Sequence, residues 1–325
     1  MRIAFIGTGN IARSHATGLA KMEDVEFVGA YDAQAERAQA FVTQYGGEAA
    51  ANLADLLDRV KPDAAWVCLP PFAHGEAEIA LLERGIPFLV EKPVSNSIET
   101  ARRILDKVSA TGTLAVVGYM NRYRRSVNRA KELLANDPPV LVHGAWIGGT
   151  PGVSWWRVQK LSGGQIVEQT THIFDLVRYL VGEPDVVCAA GTKGFVRDMP
   201  DYDVTDASAV SVRFRSGAVG SLMSSCANRS GGGGVHLTVV AVNHLTNFTG
   251  WEHSAVIHKS RIEQEHIAGE PNIFEIEDRA FLDAVRTGDP SLVRSTYEDG
   301  VKTLAFCLAA TRSIEVGRPV EVSSI

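Results

Sequence analysis

The sequence predicts an α/β protein of two domains: an open parallel sheet at the N-terminus, then an α+β domain built on a large, mostly antiparallel sheet. Three observations carry that prediction. From residue 1 to about residue 120, short apolar runs alternate with helix-patterned segments, as they do in a parallel sheet covered by helices on both faces. Near residue 121 the alternation stops. Across residues 185–267, runs of Val, Ala and Thr broken by Gly read as a meandering antiparallel sheet. With 325 residues, 45% apolar and 22% charged, the chain is long enough for two cores, so we assign residues 1–121 to the first domain and 122–325 to the second, whose final helix is free to pack back on the first.

The first domain reads as strands at 2–6, 25–31, 63–69, 86–90 and 113–118, with helices near 10–21, 33–45, 52–60, 73–84 and 95–111. Its first strand breaks at Gly7-Thr8-Gly9, and Gly7, Gly9 and Ala12 fit the pattern G-x-G-x-x-G/A. The first glycine makes the turn, the second lets a pyrophosphate approach the backbone, and the small third residue allows close helix packing. Asn10 and Ile11 then open a helix whose free N–H groups and dipole favour phosphate charge. Asp32 ends the second strand twenty residues beyond Ala12. In a Rossmann dinucleotide-binding domain such an acid accepts the ribose hydroxyls and repels a 2′-phosphate. Ala33 and Gln34 follow it with no Arg, which puts NAD ahead of NADP. The competing reading is that Asp32 caps the next helix.

Ligands of open α/β sheets bind beyond the carboxyl ends of the strands. Leu69, Pro70 and His74 follow one strand there, and Glu91, Lys92 and Pro93 follow the next. Lys92 directly succeeds an apolar strand and precedes a stiffening proline, so it is expected at the ligand edge.

In the second domain we expect a helix near 124–135, a strand near 140–147 and a loop over 148–164 containing Trp155, Trp156 and Arg157. A strongly patterned helix follows, 165–181, ended by Gly182 and Pro184. Ile166, Thr170, Ile173 and Val177 recur at helical spacing as its buried stripe, placing Glu168, His172, Asp175 and Tyr179 on the other side. That side is either a solvated polar face or the lining of a site. The glycines at 231–234 lack a following helix and a Lys-Ser/Thr pair, so they read as a strand connection rather than a phosphate loop. His236, His244, His253, His258 and His266 match no zinc spacing, and no metal site is expected. Helices near 274–287 and 297–316 and a short strand from Val320 close the chain.

A net charge of -6 argues against nucleic acid or an anionic membrane as the main partner. Cys68, Cys188, Cys226 and Cys307 lie far apart without a C-x-x-C pair and read as reduced core residues, which suits a cytoplasmic protein. Met1 leads straight into the first strand, leaving no room for a signal peptide, and no apolar run is long enough to span a bilayer. The Asn228 and Asn247 glycosylation patterns are therefore read as chance.

Taken together, these segments resemble the glucose-fructose oxidoreductase, inositol dehydrogenase and MocA (Gfo/Idh/MocA) family. The resemblance rests on the Gly7 to Ala12 turn, Pro70 with His74, Glu91-Lys92-Pro93, Asn121-Arg122, Gly163-Gly164 followed by an acid and His172, and Gly317-Arg318-Pro319-Val320. It implies a dehydrogenase passing hydride between a secondary alcohol of a sugar, sugar derivative or cyclitol and NAD, with Lys92 and His172 beside the reacting carbon. It also implies a position near the nicotinamide for Asn121 and a homodimer or homotetramer formed through the C-terminal sheet. The residue chemistry agrees. Histidine titrates near ~6.5 and lysine near ~10.4, so His172 is the natural base and the Lys92 ammonium the natural partner of a developing oxyanion. Burial beside a cationic nicotinamide would lower the lysine value, and the two roles could then be exchanged. Glu168 is counted with them as catalytic. It stands where the family more often has Asp, four residues before His172, where its longer side chain can reach the imidazole or a substrate hydroxyl. Arg122, Tyr123, Trp156, Arg157 and Asp175 are candidate substrate contacts, because a polyol needs donors and acceptors beside an apolar or aromatic wall. Two other functions fit the same resemblance: an NAD-dependent glycosidase working by oxidation and elimination, and a non-catalytic NAD-sensing regulator.

Overall fold

The computed structural model describes residues 1–325. The chain folds as two units, Met1–Met120 with Asn272–Val301, and Asn121–Pro271 with Lys302–Ile325.

The first unit is built on six parallel strands: β1 (Arg2–Ile6), β2 (Glu26–Tyr31), β3 (Glu48–Ala49), β4 (Ala64–Val67), β5 (Phe88–Val90) and β6 (Ala115–Val117). Their spatial order is β3-β2-β1-β4-β5-β6. It reverses between β1 and β4, and the crevice at such a reversal is where open α/β sheets bind ligands. Strands β4, β5 and β6 are buried at every residue, as strands covered on both faces must be. Phe5 stacks on Trp66 and Phe27 at ring-centroid distances of 5.6 and 5.9 Å. The helix Asn10–Leu19 turns Ala12, His15, Ala16 and Leu19 into the core, the i, i+3, i+4, i+7 spacing of one helix face.

Residues Asn272–Val301 belong to this unit, although the sequence reading placed them in the 122–325 domain. The helix Ile273–Thr287 sets Phe281 edge-on to Trp66 at 5.2 Å. It also approaches the first helix so closely that a Cβ on Gly18 would lie 2.6 Å from Glu275 Cγ. A helical period reveals an apolar stripe but not which sheet will cover it.

The second unit carries nine strands: β7 (Pro139–Ile147), β8 (Pro184–Thr192), β9 (Ala207–Phe214), β10 (Val219–Ser225), β11 (Gly234–Ala241), β12 (Leu245–Thr249), β13 (Ser254–His258), β14 (Gln264–Ile267) and β15 (Val320–Glu321). Their order is β14-β13-β12-β11-β7-β10-β9-β8-β15. Neighbours are antiparallel except β7 and β10, because β7 enters between two meanders and runs alongside β10. Burial alternates along β9 and β11, so one sheet face meets helices. On that face Gly144 lets the helix Thr171–Val181 come close: a Cβ there would lie 2.9 Å from Ile173 Cγ2.

Two expectations are corrected here. The helix expected over 165–181 is two helices, Gly164–Glu168 and Thr171–Val181. At the break the Thr170 N–H donates to Gln165 O, and the Ile173 N–H donates to Thr170 O, so the regular i to i−4 ladder is lost. The consecutive threonines 170 and 171 are β-branched and poor helix interiors, which favours the interruption. Cys188, expected in a core, is exposed on β8, whereas Cys68, Cys226 and Cys307 are buried. No helix is long and apolar enough to cross a membrane.

Candidate active site

In the first unit the glycine turn ends β1. Gly7 has φ +84°, and a Cβ on it would lie 2.4 Å from Cys68 O, so both conformation and space require glycine. Gly9 is different: a Cβ there would meet nothing within 4 Å. It precedes the helix Asn10–Leu19, whose start has no side-chain cap and no acidic residue in its first turn. Open space beside uncapped N–H groups is what a dinucleotide pyrophosphate fits. Asp32 braces this turn: its Oδ2 accepts from Thr8 N at 2.9 Å and Thr8 Oγ1 at 3.0 Å, and its Oδ1 accepts from Gln34 N at 2.9 Å. The following helix, Ala35–Tyr45, takes Gln34 as its N-cap, so Asp32 stands outside the helix and half-buried beside the glycines. A carboxylate offers about four lone-pair sites, which leaves capacity for a ribose hydroxyl.

Beyond β4, Leu69 and Pro70 lead into a short turn, Pro71–Ala73, and His74. His74 is buried with its Nδ1 2.5 Å from Glu78 Oε1, and Glu78 Oε2 accepts from Gly75 N at 2.7 Å. Burial pushes the Glu78 carboxyl up, but His74 and the Gly75 amide outweigh it and hold the group below the usual carboxylate range.

Beyond β5, Glu91 is buried and divides its carboxylate. Oε2 accepts from the Lys92 backbone N–H at 3.1 Å, and Oε1 lies 3.0 Å from His15 Nε2. The other ring nitrogen, His15 Nδ1, is 2.7 Å from Asp278 Oδ1, which also accepts from Trp66 Nε1 at 2.8 Å. Burial disfavours charge on His15, yet Asp278 and Glu91 raise its pKa well above the ordinary value. As an imidazolium it donates to both carboxylates, and the chain Asp278–His15–Glu91 ends on the amide of Lys92. Lys92 itself is half-buried and joined to Pro93 by a cis peptide. Sequence reasoning named Glu91 and Lys92 but missed His15 and Asp278. The available signal was a histidine on the apolar face of the first helix.

In the second unit, His172 is 3% exposed in the first turn of the helix Thr171–Val181. Trp146 of β7 lies flat against the imidazole, at 5.8 Å and 15°, and Trp251 meets it edge-on, at 5.8 Å and 85°. Neither tryptophan was singled out in the sequence. Because the helix is broken, Glu168 is not in helical phase with His172. Its Oε2 accepts from Trp156 Nε1 at 2.6 Å, and Trp156 is buried with Val204 and Cys226.

Arg122 and Asp175 form a buried two-point pair, Nε to Oδ2 at 2.9 Å and Nη2 to Oδ1 at 2.7 Å. Thr303 Oγ1 also donates to Asp175 Oδ1 at 3.0 Å, and the Arg122 guanidinium lies over Tyr179, 4.9 Å from the ring centre. Tyr123 is buried. Asn121 is buried too, its Oδ1 accepting from Arg124 Nε at 2.6 Å while its Nδ2 has no hydrogen-bond partner. Arg157 Nη1 donates to Pro200 O at 3.3 Å. His172, Trp146 and Trp251 thus form one cluster, Arg122, Asp175 and Tyr179 a second, and Trp156 with Glu168 a third.

A reversing parallel sheet, an open glycine turn at its helix start and an acid at the end of β2 define a dinucleotide-binding fold. Residues 1–119 match the model described as "Oxidoreductase family, NAD-binding Rossmann fold", and residues 128–242 match the Gfo/Idh/MocA C-terminal domain. The chain belongs to the Gfo/Idh/MocA family. It is 26% identical to myo-inositol 2-dehydrogenase of Thermotoga maritima, over all of this chain and 99% of that protein. It is 31% identical to glucose-6-phosphate 3-dehydrogenase of Bacillus subtilis, over 55% of this chain and only 53% of that relative. Among solved structures, levoglucosan dehydrogenase in complex with NADH superposes with a TM-score of 0.87 at 18% identity, covering 99% of both chains; that likeness concerns the fold.

Proposed function

We propose that the protein is an NAD-preferring dehydrogenase acting on a secondary alcohol of a sugar, sugar derivative or cyclitol. The observation that carries this reading is His172, a buried imidazole walled by two tryptophans in a chain that also holds an open dinucleotide turn. A proton-handling group against aromatic walls suits a polyol, which has polar edges and an apolar ring face. The names of the two relatives, a myo-inositol 2-dehydrogenase and a glucose-6-phosphate 3-dehydrogenase, point to the same substrate class.

Bound NAD supplies the acceptor for the hydride. Gly7, Gly9, Asn10 and Ile11 would receive its pyrophosphate, and Asp32 its ribose hydroxyls, with the carboxylate repelling a 2′-phosphate. Leu69, Pro70, His74, Glu91, Lys92 and Asn121 complete the proposed cofactor set. Oxidation also removes the hydroxyl proton. His172 takes that proton, and the Lys92 ammonium donates a hydrogen bond to the oxygen as negative charge develops there. Glu91 fixes the Lys92 backbone for this role. Glu168 holds Trp156, while Arg122 pairs with Asp175, and with Tyr123 and Arg157 they supply the polar surroundings of the substrate.

Incubation with NAD and a panel of sugars, sugar acids and cyclitols tests the reading, followed by the absorbance of reduced nicotinamide. Net NADH formation with at least one ring polyol is expected. Release of an aglycone with no net NADH would replace the dehydrogenase by a glycosidase, and NADH binding without any turnover would replace it by a regulator.

We further propose a homodimer or larger assembly through the outward face of the sheet. That face exposes Leu141, Val219 and Met223 on paired strands, an apolar patch of the kind that marks interfaces.

A further inference from the structure

Trp251 is 46% exposed, although the imidazole it touches is almost wholly buried. Its ring stands at 84° to Trp146, 5.6 Å away, and at 85° to His172, so the two indoles make a right-angled corner around the imidazole. Trp146 has its face against His172. Trp251 stands T-shaped to both neighbours and leaves part of its surface to solvent.

The loop beneath it is tied down. Gly250 turns with φ +74° and donates its N–H to Val235 O at 2.8 Å, and the His253 N–H donates to Gly250 O at 3.2 Å. The Trp251 carbonyl accepts from Arg124 Nη2 at 2.9 Å and lies 3.1 Å from His253 Nδ1. Burial lowers the His253 pKa to about 4, so the ring is neutral at working pH with its Nδ1 proton on that carbonyl. Arg124 is fully buried and spends its other nitrogens on Asn121 Oδ1 at 2.6 Å and Glu270 O at 3.0 Å. An aromatic wall held in place this way loses little entropy on binding.

We propose that Trp251 is the stacking wall for substrate and selects a ring-shaped polyol, a pyranose or cyclitol, over an open-chain polyol. The inference deepens the dehydrogenase reading and rests on it for the identity of the ligand class. A six-membered polyol presents a face of C–H groups that packs flat on an indole while its hydroxyls project at the rim. An open-chain hexitol has no lasting apolar face and loses more rotational freedom on binding.

The test compares wild type, Trp251→Phe and Trp251→Ala with myo-inositol, D-glucose and D-sorbitol, using steady-state kinetics and equilibrium quenching of tryptophan fluorescence. For the better ring compound, Trp251→Ala is expected to raise KM and the dissociation constant about tenfold, equivalent to about 1.4 kcal/mol. kcat should fall much less, Trp251→Phe should recover most of the loss, and sorbitol should show no comparable change. Unchanged KM and binding of the ring compound in Trp251→Ala would overturn the wall, as would equal weakening for sorbitol. Trp251-dependent binding of a ring compound without NAD reduction would leave the wall standing and remove the dehydrogenase. Absence of binding by wild type to all three probes would overturn the wall itself.

Discussion

Three side chains, Asp278, His15 and Glu91, connect the first core to the amide of Lys92. His15 gains its charge-stabilising partners only in the fold, so its folded pKa exceeds the unfolded value near ~6.5. The corresponding stability is fully present below that value and is lost as pH rises through the raised folded pKa. Urea midpoints should therefore carry a component that declines above pH ~6.5, and His15→Gln should lower the midpoint and remove that component. An identical slope in the variant would contradict the network. At the cofactor turn, Asp32→Ala should narrow the preference for NAD over NADP in kcat/KM, whereas equal efficiency with both cofactors in wild type would refute Asp32 as the discriminator. Gly7, Gly9 and Asp32 were legible in the sequence because a strand, a turn and a helix start lie next to one another. The His15–Asp278 contact spans 263 residues and had no local pattern to announce it.

At the scale of elements, the interruption at Gln169 and Thr170 separates Glu168 from the helix that carries His172. Counting 100° per residue assumes an unbroken helix, and the two threonines supplied the warning. The Arg122–Asp175 pair joins the turn Met120–Tyr123 to the helix Thr171–Val181 inside the second unit, with both side chains buried. Removing one partner of such a pair strands the other charge, typically at a cost of about 3–5 kcal/mol. Asp175→Asn should thus lower the thermal midpoint strongly, and differential scanning calorimetry showing a negligible shift would mean the pair carries no structural weight. The antiparallel sheet itself was readable from Val, Ala and Thr runs broken by Gly. The insertion of β7 between two meanders was not, because the parallel partner β10 lies far along the chain.

For the whole molecule, the parallel first sheet and the mostly antiparallel second sheet agree with the fold read from composition and periodicity. The place of Asn272–Val301 in the first unit has no local sequence signal, since an amphipathic helix can cover either sheet. The outward face of the second sheet leads to a solution prediction. Multi-angle light scattering should report at least a dimer, and Met223→Glu, which places a charge in the exposed patch, should shift the mass toward the monomer. A monomeric wild type at working concentration would reject that interface. The proposed chemistry is tested by single-turnover reduction of NAD by the best ring polyol in wild type, Lys92→Ala and His172→Ala, with NADH binding measured alongside. Loss of a positioned proton-handling group should slow reduction by roughly 100-fold or more in each variant while NADH still binds. Rates within about tenfold of wild type in either variant would contradict the assignment of proton transfer and charge stabilisation to this pair.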